Sequence, residues 1–406
     1  MRGPEKLMYT SEVKPLKNTC PVCEAKDIRS CIDIDQVPVH CNLLWPTRAE
    51  AVNAPKGDIR LGFCRRCGHI FNGVFNPEYM KYDQEYENSL HFSPRFQEYA
   101  RTLAERLIER YDLHDKVIIE IGCGKGDFLL MLCTLGGNRG IGFDTSYARE
   151  RTADANTERV VFIQDYYSER YADYEADIIC CRHVLEHIQS PRDFLIDMRR
   201  AAGNRSGTAV FFEVPNIAFT LRDLGIWDLI YEHCSYFSVS SLVHVFSSCG
   251  FAVRDIYETF EGQFLCIEAL SDNDIVHTEH PYQNDIERME QDVVAFSDRY
   301  KNKVEKWKHD LDSLNRAGKK VVVWGGGSKG VTFLNALNID EQIQYIVDIN
   351  PHKQGKFAPG TGQEIVNPEF LLEYRPDCII AMNPVYMNEI RQMVERMAVT
   401  AEIIPV

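Results

Sequence analysis

The stretch "VIIEIGCGKGDFLLML", residues 117–132, restricts this chain more than any other. An apolar run, glycines at alternate positions and a second apolar run read as a buried strand, a tight turn and a helix. Gly122, Gly124 and Gly126 let a ligand lie directly against the backbone, and the helix that follows offers free amides and a positive dipole end. Asp127 stands where a dinucleotide G-x-G-x-x-G turn needs its last glycine, so the turn is of another kind. Further strand-like runs follow at intervals: "GIGFD", "VVFIQD", "ADIICCRHV", "TAVFFEVP", "FAVRDIYE" and "QFLCIEAL". Helical patterns separate most of them, and "PRFQEYARTLAERLIERY" precedes them behind a Ser93 cap and Pro94. This alternation predicts an α/β fold, a largely parallel sheet with helices on both faces.

The pattern E-x-G-x-G-x-G resembles motif I of class I S-adenosylmethionine-dependent methyltransferases, which have a Rossmann-like sheet. The resemblance implies cofactor contacts from Glu120, Gly122, Gly124 and Gly126. Asp144, ending "GIGFD", falls where that family holds the ribose hydroxyls, and Asp165, ending "VVFIQD", where it meets the adenine amino group. The segment "CRHVLEHI" looks like the family's post-strand segment, with His183 on the cofactor side and an E-H pair at Glu186 and His187.

Four of the fourteen cysteines form two CxxC pairs, Cys20 with Cys23 and Cys64 with Cys67; the others are dispersed through apolar segments. Two such knuckles supply a closed tetrahedral thiolate shell, which points to a structural Zn2+ rather than a catalytic one. Buried thiols without a metal are the competing reading. Removal of the ion is expected to unfold the N-terminal lobe without changing the chemistry elsewhere. The intervening "VPVHCNLLWPTRAEAVNAPKG" is expected to loop out.

The octapeptide "YEHCSYFS", residues 231–238, concentrates an acid, an imidazole and two phenols after the fifth strand of the alternation. Ligands of open α/β sheets bind at the carboxyl ends of the strands. Tyr231, Glu232, His233 and Tyr236 are therefore expected to face the reacting centre, with Asn216 on the same rim. A neutral His with a carboxylate neighbour suits proton abstraction, and a phenol suits a developing oxyanion. A purely structural Glu–His pair is the alternative.

The chain as a whole resembles the sugar-nucleotide C-methyltransferases that add a methyl branch to 4-keto deoxysugars. The resemblance implies a zinc domain, a methyltransferase domain and a C-terminal α/β domain. In that family His233 corresponds to the general base, Tyr231 and Glu232 to substrate-side residues, and His187 to a second active-site histidine. Tyr86 in "YDQEYENS", with Tyr82 next, matches a tyrosine that reaches the sugar. The insert before Cys64, "GHIFN" and "ENSLHFSPRF" depart from the family pattern and bear on substrate identity.

Near the C-terminus, "VVVWGGGSKGVTFLNAL" places Gly325, Gly327 and Gly330 after a strand, and Asp348 ends the next. Alone this is a dinucleotide fingerprint, but the remaining chain is too short for both halves of such a fold. It also resembles that family's own C-terminal signature, and Lys329 and Lys353 suit a diphosphate or nucleotide; a purely structural lobe is the alternative. Apolar residues from Met289 to Leu314 at 4-3 spacing predict one long amphipathic helix. The expected organisation is 1–85 zinc-binding, 86–270 methyltransferase, 271–315 helical connector and 316–406 C-terminal α/β.

An excess of 60 acidic over 45 basic residues, a net charge of −15, opposes binding to nucleic acid or anionic membranes. With no signal-like or membrane-spanning run, a cytoplasmic protein is expected. The expected activity is C-methylation of a keto deoxysugar carried on a nucleoside diphosphate. Its rivals are O- or C-methylation of another small natural-product intermediate, and a nucleotide-sensing or scaffold role without catalysis. The oligomeric state is not legible.

Overall fold

A computed structural model describes residues 18–80, 84–152, 158–201, 207–271, 283–339 and 342–406; Tyr82 lies outside them. The N-terminal lobe carries strands β1 (Ile28–Pro38), β2 (Lys56–Cys64) and β3 (Ile70–Asn72). The central region contributes β4 (Val117–Ile121), β5 (Arg139–Phe143), β6 (Val160–Ile163), β7 (Ile178–Arg182) and β8 (Ala209–Pro215). After these come β9 (Ser235–Tyr236), β10 (Phe251–Thr259) and β11 (Phe264–Ser271). The C-terminal lobe holds β12 (Val321–Trp324), β13 (Tyr345–Val347), β14 (Glu364–Val366), β15 (Cys378–Ala381) and β16 (Glu402–Pro405).

The central sheet has seven strands in the order β10-β11-β8-β7-β4-β5-β6. Only β11 runs against its neighbours. Read from β4, the order rises on one side through β5 and β6 and on the other through β7 and β8. The crossovers therefore diverge between β4 and β7, leaving a crevice at their carboxyl ends. Burial explains the centre: all five residues of β7 are buried, as expected of a parallel strand covered on both faces. The helix Pro94–Tyr111 covers one face through Phe96, Ala100, Leu103, Ala104, Leu107 and Ile108, and Ser93 caps it by accepting the Phe96 N–H.

The C-terminal lobe is a parallel five-stranded sheet, β14-β13-β12-β15-β16. It repeats a detail of the central sheet. The Gly124 N–H donates to Asp144 at 2.7 Å, and the Gly326 N–H donates to Asp348 at 2.7 Å. Each glycine turn is thus tied to the carboxylate ending the adjacent strand.

Two features bind the lobes together. The helix Gln283–Arg316 buries Ile286, Met289, Val293, Phe296, Val304, Trp307 and Leu311. Its apolar stripe joins a core that also holds Ile59 and Leu61 of β2, Trp227, and Phe333 of the C-terminal lobe. The helix is a packing element common to three regions rather than a spacer. The second feature is β9. It leaves the central sheet and pairs antiparallel with β3, Ile70 opposite Tyr236 and Phe71 opposite Ser235. The octapeptide of residues 231–238 is therefore held by the N-terminal sheet. No helix of the described residues is long and apolar enough to cross a membrane.

Candidate active site

A cavity of about 340 Å³ lies between the carboxyl ends of the central sheet and the glycine turn of the C-terminal lobe. The central sheet lends it Glu120, Gly122, Gly124, Arg182, His183 and the Glu186–His187 pair. The N-terminal side adds Asn42 and Tyr86, the octapeptide adds His233, and the C-terminal lobe adds Gly325, Gly327, Lys329 and Lys353.

The first turn is built as its glycines require. Gly122, Gly124 and Gly126 have φ of 68°, 56° and 90°, and a Cβ on Gly122 would run into Val184. Glu120 is buried, one of its oxygens lacks a hydrogen-bond partner among the described residues, and burial pushes its carboxyl up to about 8. Asp144 accepts from the Gly124 N–H and, through its other oxygen, from the Ser146 N–H and hydroxyl, each at 2.7 Å. Gly126 caps the helix Asp127–Gly136 from just outside the cavity. Asp165 follows β6 and engages Tyr171 and Arg170.

Beneath the cavity floor lies an ionic group that the sequence does not advertise. Arg182 stacks on Phe128 at 4.1 Å and pairs with Glu213 at 2.9 Å. Glu213 also accepts the Tyr99 hydroxyl and lies 2.7 Å from His183 Nε2, an ion pair rather than an aligned hydrogen bond. Burial opposes the charge on Glu213, but Arg182 and His183 hold its carboxyl at about 2. His183 sits at φ 54°, in the left-handed region, held by its N–H to the Glu213 carbonyl at 2.8 Å. Burial disfavours its imidazolium, yet Glu213 and Glu186 raise it to about 9. The only sequence signal for this group was an arginine and a glutamate closing two otherwise apolar strands.

That assignment carries a pH dependence. The fold keeps the His183 proton to about pH 9, against 6.5 in an unperturbed histidine. The stabilisation is complete below the lower value and disappears as pH rises through the upper one. The stability difference between wild type and His183→Asn should be largest below the unperturbed value of 6.5 and shrink as pH rises to about 9. Melting curves that stay parallel across that window would mean His183 is neutral in the fold.

The octapeptide divides. His233 reaches the cavity, its ring edge-on to His187 with centroids 4.9 Å apart. Burial, and then His187, depress it to about 4, so it is neutral at physiological pH. His187 places Nδ1 3.0 Å from the Glu232 carbonyl. Three neighbours do not face the reacting centre as expected. Tyr231 is buried against Phe75 and Tyr79, and its hydroxyl accepts from the Asn76 N–H. Tyr236 turns its hydroxyl onto the Ile230 carbonyl at 3.1 Å. Glu232 accepts the Cys41 N–H at 2.9 Å and faces His40 at 3.8 Å, so its carboxylate does not orient His233. The cause is the turn at residues 231–232: Tyr231, Glu232 and His233 precede the two-residue strand β9, so no strand alternation sorts them and each side chain is placed by its own contacts. Asn216 is also displaced, since it caps the helix Ile217–Arg222 and bonds to Glu258 and Gly262.

The insert after β1 does not loop out into solvent. Its backbone meets Glu232, Asn42 lines the cavity, and the Asn42 amide donates to the Tyr86 hydroxyl at 3.3 Å. Across the cavity, Lys329 bonds Asp228 at 2.6 and 2.8 Å, and Lys353 lies 3.8 Å from Asp348. Each lysine has an aspartate beside it, so the second glycine turn is not the bare cationic patch the sequence suggested.

A profile described as "Methyltransferase domain" matches residues 94–256, the region of the central sheet and its first glycine turn. A second, "C-methyltransferase C-terminal domain", matches residues 277–404. The C-methyltransferase NovU of Streptomyces niveus is 26% identical over 402 residues, covering 93% of this chain and 92% of that protein. The chain is an S-adenosylmethionine-dependent methyltransferase. The methyltransferase resembles the C-methyltransferase NovU along nearly its whole length. Among solved structures, an O-methyltransferase family protein from Burkholderia thailandensis is 15% identical with a TM-score of 0.36, covering 48% of this chain and 65% of that one. A SAM-dependent methyltransferase from Aquifex aeolicus is 14% identical with a TM-score of 0.33, covering 41% and 88%. For this methyltransferase the strand order identifies the sheet without them.

Proposed function

We propose that the enzyme C-methylates a keto deoxysugar carried on a nucleoside diphosphate, with His233 as general base. The observation that carries this reading is the His233 imidazole, kept neutral and set edge-on to His187, in a cavity bounded by two glycine turns. The match to the C-methyltransferase C-terminal domain supports carbon over oxygen as the acceptor.

The first turn suits S-adenosylmethionine. Its glycines leave room for a ligand against the backbone, and the unpaired oxygen of buried Glu120 suits a cationic amino group. When bound, the cofactor supplies an electrophilic methyl group. Asp144 retains acceptor capacity on the oxygen that meets Gly124, suited to a ribose hydroxyl. Asp144→Ala should weaken cofactor binding by roughly 1.5–3 kcal/mol, because a charged acceptor is lost and the Gly124 amide is orphaned. Calorimetry giving wild-type affinity would remove Asp144 from the site.

On the acceptor side, His233 takes the proton from a carbon acidified by its neighbouring ketone. Tyr86, a phenol lining the cavity beside Asn42, would donate to the enolate oxygen in place of Tyr231 and Tyr236. Lys329 and Lys353 would meet a diphosphate, which competes with Asp228 for Lys329. Mass spectrometry of nucleoside-diphosphate-linked keto sugars incubated with labelled cofactor tests the reading. Label transferred only to other acceptors would overturn it.

The four cysteines suit Zn2+. Cys20 and Cys67 have their sulfurs 3.7 Å apart, Cys23 and Cys64 3.4 Å, and all four lie within 4.8 Å of one another. A tetrahedron with Zn–S bonds of about 2.3 Å has edges of about 3.8 Å. Four thiolates at this spacing would repel one another without a cation between them, which supports the zinc reading, and a closed four-sulfur shell leaves no place for a fifth, reacting ligand.

A further inference from the structure

Methyl transfer to carbon leaves a proton behind. The carbon–hydrogen electron pair becomes the new carbon–carbon bond, the sulfur–carbon pair returns to sulfur, and the proton stays on the base. The product does not take it back, so the enzyme must hold an imidazolium on His233 in every turnover before releasing the proton to solvent. Something must stabilise that charge, and Glu232, adjacent in sequence, is committed to Cys41 and His40.

We propose that Glu186 is the counter-ion of His233, a positioning residue that stabilises the imidazolium formed during proton abstraction. This rests on the reading of His233 as the base. Glu186 is 2% exposed, and neither carboxylate oxygen has a hydrogen-bond partner among the described residues. Its standing cationic neighbour is His183, 3.6 Å from one oxygen, which leaves the carboxylate without a hydrogen bond and able to face a second cation. One of its oxygens lies within 4.8 Å of a ring nitrogen on both His187 and His233, a span that one water or a small rotation of the imidazole closes. His233 Nδ1 is likewise buried and unpartnered among the described residues. Glu186 also faces His183, Nδ1 to Oε1 at 3.6 Å, so three imidazoles surround one carboxylate. His233 itself meets the fields of His187, Glu186, Asp228 and Glu232, and its ring lies edge-on to Tyr236. Of these acids, Glu186 is the one with no hydrogen bond on either oxygen among the described residues, because Asp228 is held by Lys329 and Glu232 by the Cys41 N–H.

The test is hydrogen–deuterium exchange at the reacting carbon of a nucleoside-diphosphate-linked 4-keto-6-deoxyhexose that the wild-type enzyme methylates. It is run in deuterated buffer with S-adenosylhomocysteine, which has no methyl to transfer. Glu186→Gln should lower the maximal exchange rate roughly 10–100-fold, leaving the sugar KM and the S-adenosylhomocysteine affinity unchanged. Glu186→Asp, which keeps the charge, should recover most of the rate. An unchanged maximal rate in Glu186→Gln overturns the proposal. So does a loss shared by rate, KM and cofactor affinity that Asp does not rescue, since that is the signature of a packing role. His233→Ala separates the two readings. If it exchanges like wild type, the base assignment falls. If it is inactive while Glu186→Gln keeps its rate, only the counter-ion falls.

Discussion

Replacing His233 by alanine should lower methyl transfer by roughly 10²–10⁴-fold while cofactor binding persists. The size follows from the proposed chemistry: a carbon acid beside a ketone becomes a nucleophile only as its proton leaves, and His233 is an imidazole that burial and His187 keep neutral in the cavity. The selectivity follows from architecture. His233 sits just before β9, on the N-terminal sheet, whereas Gly122–Gly126 follow β4 of the central sheet. Truncating the imidazole removes no contact from the glycine turn, so calorimetric affinity for S-adenosylhomocysteine should match wild type. The exchange assay then isolates the proton step. Equal exchange in His233→Ala and wild type would assign the proton to another residue, with His187 next in line on geometry.

Stripping zinc, or replacing Cys64 with serine, should unfold the N-terminal lobe and abolish activity with it. Apparent binding free energies for four-ligand structural zinc are about 10–16 kcal/mol, more than a domain's usual margin of stability. Sequence alone suggested that chemistry elsewhere would survive this loss. The strand pairing says otherwise. Cys64 ends β2, Cys67 lies just before β3, and β3 pairs with β9 two residues beyond His233. The Gly68 carbonyl, next to Cys67, also accepts the Ser238 hydroxyl at 3.2 Å. The four cysteines therefore anchor the element that carries His233. Elemental analysis together with activity after chelation tests this. Protein free of zinc that keeps its melting temperature and its turnover would show that the cysteines are packing thiols.

The cofactor half was legible because it is local. A strand, alternate glycines and a helix form one continuous segment, and the φ values of Gly122, Gly124 and Gly126 are those that such a turn demands. The second glycine turn was legible for the same reason. The acceptor half was legible only in part. "YEHCSYFS" brought His233 to the cavity but gave no means of sorting its side chains, since a turn at residues 231–232 leads into the two-residue β9 and the partner strand was unknown. His233 fell to the cavity, while Tyr231 and Tyr236 fell to the packed interior. Asn42 went unnoticed because nothing in the insert indicates that its backbone returns to Glu232.

By itself, then, the sequence determined the elements: the order of strands and helices, two glycine turns, four paired cysteines and one long amphipathic helix. These depend on spacing within a few residues, which side-chain sterics and periodicity translate directly into local structure. What only the tertiary structure decided is which charges meet. Arg182, His183, Glu186 and Glu213 come from two strand ends about thirty residues apart and form one buried group because β7 and β8 are parallel neighbours. Lys329 and Lys353 are paired with Asp228 and Asp348, the first of these from a distant region of the chain. Electrostatic energy depends on distance and burial rather than on order along the chain, and those two quantities are fixed only when the lobes pack.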